Sequence, residues 1–94
     1  MNIGSVIKAV RNEKNIKQKV LAESCNISIT YLSQIENKKK DPTISTLTEI
    51  SKNLEIPLPI IFFMALEEND IPLNKREFFN QLNPTFSKVI KDFF

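Results

Sequence analysis

Apolar residues return every three or four positions along most of the chain and nowhere alternate strictly, so the pattern predicts helices throughout and no sheet. Ile3, Val6, Ile7 and Val10 share one face of a first helix over about Ile3 to Lys14, with Lys8, Arg11 and Lys14 mostly elsewhere on it. A second helix reads from Gln18 to about Cys25 through Val20, Leu21 and Ala22. Asn26 follows, and Asn is the residue other than Gly that best accepts the left-handed turn at a helix end. Ser28 stands where an N-cap hydroxyl is wanted, ahead of a third helix reaching about Glu36 with Leu32 and Ile35 inward. After a polar loop from Asn37 to Pro42, Thr43 or Ser45 can cap a fourth helix that faces inward through Leu47, Ile50, Ser51 and Leu54. The prolines of Ile56-Pro57-Leu58-Pro59 force a bend, and a fifth, very apolar helix is predicted from Ile60 to about Leu66.

Beyond the connector Glu67 to Pro72 the composition changes. Phe78, Phe79, Leu82, Phe86, Val89, Ile90, Phe93 and Phe94 put eight large apolar residues into the last seventeen positions, at helical spacings. Pro84 interrupts this stripe; with Asn83 as N-cap and Pro84 at a first helical position, two short helices are predicted rather than one. The chain therefore divides into a five-helix unit over residues 1–67 and a helical extension over residues 68–94.

Gln18 to Glu36 is the most informative stretch, because two short helices meet there across a tight turn and the second keeps polar side chains on an outward face. That is the outline of a helix-turn-helix, in which one helix braces across a duplex backbone and the next enters the major groove. Charge agrees with it. The formal net charge is only +2, but nine Lys or Arg stand against six Asp or Glu through Ile56, and four against five after it, so the basic bias falls on the helix-turn-helix side.

Counting excludes much else. Ninety-four residues with 41% hydrophobic content support one modest core. With no His and one Cys, histidine-based triads, Cys-His metal sites and an internal disulfide are ruled out; no metal or cofactor is expected, and Cys25 reads as a small buried apolar residue. Glu67, Glu68 and Asp70 gather acidic groups without a nucleophile or base beside them, so no enzyme is expected. The longest apolar run, Ile56 to Leu66, is about half of the ~20 residues a membrane span requires and contains two prolines. A cytoplasmic protein with no membrane partner is expected.

Ile7, Arg11, Gln18, Leu21-Ala22, Ser28, Tyr31-Leu32, Ile35-Glu36, Asn37, Pro42 and Leu47 occur in an order and spacing that resemble the lambda-repressor-like helix-turn-helix family, also called the Xre or Cro/CI type, over Ile3 to Phe63. The resemblance implies an all-α, five-helix DNA-binding bundle. It implies that Ser28, Ile29, Thr30, Ser33 and Gln34 read bases, and that Gln18, Lys17, Tyr31, Asn37, Lys38, Lys39 and Lys40 meet phosphates. It further implies an interior salt bridge between Arg11 and Glu36. A Gln34 amide can pair bidentately with adenine, and the methyls of Ile29 or Thr30 can touch a thymine methyl, which points to A·T pairs. The family commonly carries Gly where this chain has Asn26 and Lys38; the second departure implies a differently shaped loop.

The Phe-rich extension exceeds what one short capping segment needs, and left in water it would form a patch typical of contact sites. A homodimer built by residues from about Arg76 to Phe94 is therefore expected, setting two recognition helices roughly 34 Å apart on one face of the duplex. The other reading has the extension fold back to cap the core. The expected function is a homodimeric, sequence-specific regulator of transcription, a repressor, bound to double-stranded DNA. The alternative is an antitoxin or anti-regulator that holds a protein partner with its C-terminal helices.

Overall fold

Ile7, Val10, Leu21, Leu32, Ile35, Ile50, Leu54, Ile56 and Ile61 supply one core, each less than 2% exposed. They come from α1 (Ile3–Glu13), α2 (Gln18–Ser24), α3 (Ile29–Glu36), α4 (Ile44–Leu54), α5 (Leu58–Ala65) and the corner between the last two. This computed structural model describes residues 1–93; Phe94 and the side chain of Phe93 lie outside the described residues. Two 3-10 turns, Glu68–Asp70 and Leu73–Lys75, lead into α6 (Arg76–Ile90), and a third, Lys91–Phe93, follows it. Among the described residues there is no strand. Helices α1 to α4 start and stop within a residue or so of the predicted positions, and the predicted inward set Leu47, Ile50, Ser51 and Leu54 is buried in full.

The chain turns its corners almost without glycine. Asn15, Asn26, Lys38 and Glu55, which follow α1, α2, α3 and α4, all have left-handed backbones with φ between 56° and 61°. At each one its N–H donates to the carbonyl three residues back, and the next N–H donates to the carbonyl five back, at 2.8 to 3.2 Å. This is the Schellman arrangement, which satisfies carbonyls a helix end would otherwise leave free. At three of the four corners the next residue is isoleucine: Ile16 and Ile27 pack against the core, and Ile56 is inside it. The loop expected to differ at Lys38 thus keeps the ordinary corner geometry, with lysine accepting the conformation glycine would take.

The single glycine is spent on a close approach instead. A Cβ on Gly4 would fall on the backbone carbonyl of Ile35 and stand 3.3 Å from that of Glu36, so α1 crosses the end of α3 at backbone contact. Cys25 is buried at the end of α2, as expected. Burial raises the pKa of its thiol and the nearby Glu49 carboxylate adds to this, partly opposed by the Asn53 amide 3.5 Å from Sγ.

Two expectations about prolines are corrected. The fifth helix begins at Leu58 rather than Ile60, with Pro57 as its N-cap and Pro59 inside its first turn; first-turn N–H groups have no helical acceptor, so proline costs nothing there. The two short helices predicted around Pro84 are one continuous helix, and Asn83 is not a cap. Pro84 removes one donor from the ladder, but Asn80, Asn83 and Pro84 are all exposed, so water can take up the freed carbonyl.

Continuity divides the apolar stripe between two faces. The Phe63 ring of α5 lies 6.2 Å from that of Phe79 and 4.6 Å from that of Phe86, and Ile90 is buried. Phe78, Leu82 and Val89 face solvent at 62%, 36% and 53% exposure, and Phe86 straddles the boundary. One face of α6 therefore caps α5, and the other, among the described residues, is open to solvent. The connector is drawn back toward the start of α1, with Asn2 N–H donating to the Ala65 carbonyl at 2.8 Å and the Met1 ammonium 2.9 Å from Asp70.

Substitution at two backbone-limited positions should move stability in opposite directions. Gly4→Ala, which must push α1 off α3, is expected to lower unfolding free energy by about 1–3 kcal/mol or more. Glu55→Gly, which relieves an exposed left-handed residue, is expected to raise it by about 0.5–1 kcal/mol. Urea titration followed by circular dichroism checks both.

Candidate nucleic-acid interface

The helix-turn-helix owes its sharpness to the corner at Asn26 and to the cap at Ser28, whose Oγ accepts the Tyr31 N–H at 2.9 Å. With Leu32, Ile35 and Glu36 pinned inside, α3 has only one face left to show. Positions 29, 30, 33, 34 and 37 lie on that face by helical spacing. Ile29 and Thr30 are exposed, and Ser33 and Gln34 are partly so.

These residues line a shallow concavity of about 310 Å³ together with Gln18 from the start of α2 and Lys39 from the loop after α3. All seven lining residues were candidates in the sequence. Others lie elsewhere: Lys38 and Lys40 border a separate depression of about 210 Å³ beside Met1, Gly4 and Pro42. Lys17 is exposed, just ahead of α2, and Tyr31 packs partly against the core. The Ser28 hydroxyl accepts one bond as the cap and keeps its own hydrogen and a second lone pair for another partner. Ser33 Oγ accepts from Asn37 Nδ2 at 3.2 Å and keeps its hydrogen in the same way.

Behind the concavity lies the expected interior ion pair. Arg11 Nε and Nη2 meet Glu36 Oε2 and Oε1 at 2.8 and 2.9 Å, a fork-on-carboxylate geometry, and Nη1 donates to the Ile16 carbonyl at 2.9 Å. The side chains are 11% and 1% exposed. Gln18 Nε2 also donates to Glu36 Oε1, at 3.2 Å, a contact the sequence did not announce. The two residues are eighteen positions apart, and only the crossing of α2 and α3 brings them together.

The geometry defines a small helical bundle that offers one polar helix face on a basic rim. The helix-turn-helix family model matches residues 7–61. The immunity repressor protein of Bacillus phage phi105 is 39% identical over 61 residues, 65% of this chain and 42% of that protein. The regulator SinR of Bacillus subtilis is 31% identical over 91 residues, 96% of this chain and 75% of its own length. Among solved structures, the wild-type restriction-modification controller protein C.Esp1396I superposes with a TM-score of 0.62 at 38% identity, over 68% of this chain and 83% of that one. The chain belongs to the helix-turn-helix family, in its lambda-repressor-like branch. It spans less than half of the phage repressor it matches.

Breaking the ion pair from one side should be costly. Arg11→Met strands a buried carboxylate and is expected to remove about 3–5 kcal/mol of stability, and replacing Glu36 with Leu in the same chain should restore much of the loss. Thermal melts of wild type, single and double variants check this.

Proposed function

We propose that this protein binds double-stranded DNA as a homodimeric repressor of transcription, laying α3 in the major groove. The observation that carries the reading is the outward face of α3, polar and partly methyl-bearing, set with Gln18 and Lys39 in one concavity while every large apolar residue of that helix except Ile29 is turned toward the core. Gln34 offers the donor and acceptor that adenine's major-groove edge requires, and Ile29 and Thr30 offer methyls to thymine. Gln18, Lys17, Asn37 and the lysines 38–40 follow the backbone, each lysine contact releasing counterions. The names of the relatives, an immunity repressor and a controller protein, agree with control of transcription.

The dimer is supported by α6. Phe78, Leu82 and Val89 form a solvent-facing apolar stripe on a helix whose other side is already docked on Phe63. A second copy laid against that stripe buries it by two-fold symmetry and pairs two recognition helices, which doubles the bases read.

Fluorescence anisotropy with a labelled duplex from the gene's own upstream region, against a scrambled duplex over a salt series, tests the reading. Preference for the upstream duplex with a steep salt slope is expected. Lys39→Ala should lower that slope by about 0.9. Gln34→Ala should cost about tenfold on the upstream duplex and little on the scrambled one. Light scattering is expected to give a dimer for wild type and a monomer for Phe78→Ser with Leu82→Ser. Equal weak binding to both duplexes would contradict sequence-specific regulation, and a wild-type monomer would contradict the dimer.

A further inference from the structure

Glu36 Oε1 accepts two hydrogen bonds at once, from Arg11 Nη2 at 2.9 Å and from Gln18 Nε2 at 3.2 Å, while Oε2 is taken by Arg11 Nε at 2.8 Å. The carboxylate is 1% exposed, whereas Gln18 is partly open and lines the concavity beside Ser33, Gln34 and Lys39. A primary amide has two N–H donors and an acceptor oxygen. With one donor held inward by Glu36, the other donor and the oxygen are left for a ligand. The amide is also fixed before any ligand arrives, so the rotamer entropy a free glutamine would lose on docking is already spent in folding.

We propose that Glu36 is a positioning residue for DNA docking, acting through Gln18: the buried carboxylate orients the amide so that its second N–H meets a backbone phosphate. The inference rests on the DNA-binding reading above and extends it to a residue that never touches the nucleic acid. Electrostatics require the third member. A lone carboxylate this close to a phosphate would repel it, but the Arg11 fork neutralises Glu36, and the neutral amide of Gln18 stands between the ion pair and the duplex. Asn37, by contrast, gives its amide to the partly exposed hydroxyl of Ser33, not to a buried charge.

A double-mutant cycle in DNA affinity tests the proposal, with the upstream duplex as probe and the full chain as protein. Glu36→Asp keeps a negative charge opposite Arg11 but draws the carboxylate back by one methylene, which lengthens the already longer Gln18 contact, and Gln18→Met removes the amide at nearly the same size. Each single variant is expected to bind about three- to tenfold more weakly, the scale of one hydrogen bond, and the double variant no more weakly than Gln18→Met. A Glu36→Asp loss that persists undiminished in the Gln18→Met background makes Glu36 structural only and overturns the proposal. Should Glu36→Asp fail to fold, the wild-type protein answers by NMR: one Gln18 side-chain amide proton should exchange with water more slowly than those of exposed Gln81. Equal exchange at Gln18 and Gln81 overturns it as well. Wild type that binds no duplex overturns the DNA reading itself, an outcome distinct from full binding with an uncoupled cycle.

Discussion

The interior pair of Arg11 and Glu36 is the constraint on which the remaining geometry depends. One guanidinium reaches the end of α3 with two of its nitrogens and the corner after α1 with the third, so three parts of the chain meet at a single planar group. Taking two charges out of water is costly, and well-packed apolar residues can often replace such a pair without loss of stability. What apolar residues could not reproduce is direction. The fork accepts one orientation of the carboxylate, which fixes the rotation of α3 about its axis and with it the side chains turned outward. The backbone contact at Gly4 works at the same crossing from the other side, setting how near α1 stands to α3.

Most of the helix-turn-helix unit was legible in the sequence for local reasons. Helix periodicity, the Ser28 cap and the left-handed tolerance of Asn26 depend on near neighbours, and so they read correctly from neighbours alone. The ion pair, twenty-five residues apart, was reached only through the resemblance to a family. The Gln18 contact had neither route to it, since it follows from a crossing of two helices that no spacing encodes.

The misreadings share one cause. Proline removes a helical donor and so predicts a break at Pro59 and at Pro84, yet the consequence depends on what stands at the other end of the missing bond. At Pro59 there is no helical acceptor to disappoint, and at Pro84 the acceptor is open to water. For the apolar residues of the extension, a count alone leaves open whether they cap the core or face outward. A continuous α6 separates the six that lie within it by angle, so Phe79 and Ile90 serve the fold while Phe78, Leu82 and Val89 face solvent.

The glycine-poor corners bear on how the bundle comes apart. A helix that ends in glycine can fray locally, since the terminal turn is held by little besides its own backbone. Here the residue after the left-handed position is Ile16, Ile27 or Ile56, lodged on or in the common core, so loosening the last turn of α1, α2 or α4 means extracting an isoleucine. The ends are thereby coupled to the middle, and the five-helix unit should open as one cooperative body. The corner at Lys38, where an exposed lysine follows instead of an isoleucine, is the exception among these four, so no core side chain ties the residue after it to the middle of the bundle.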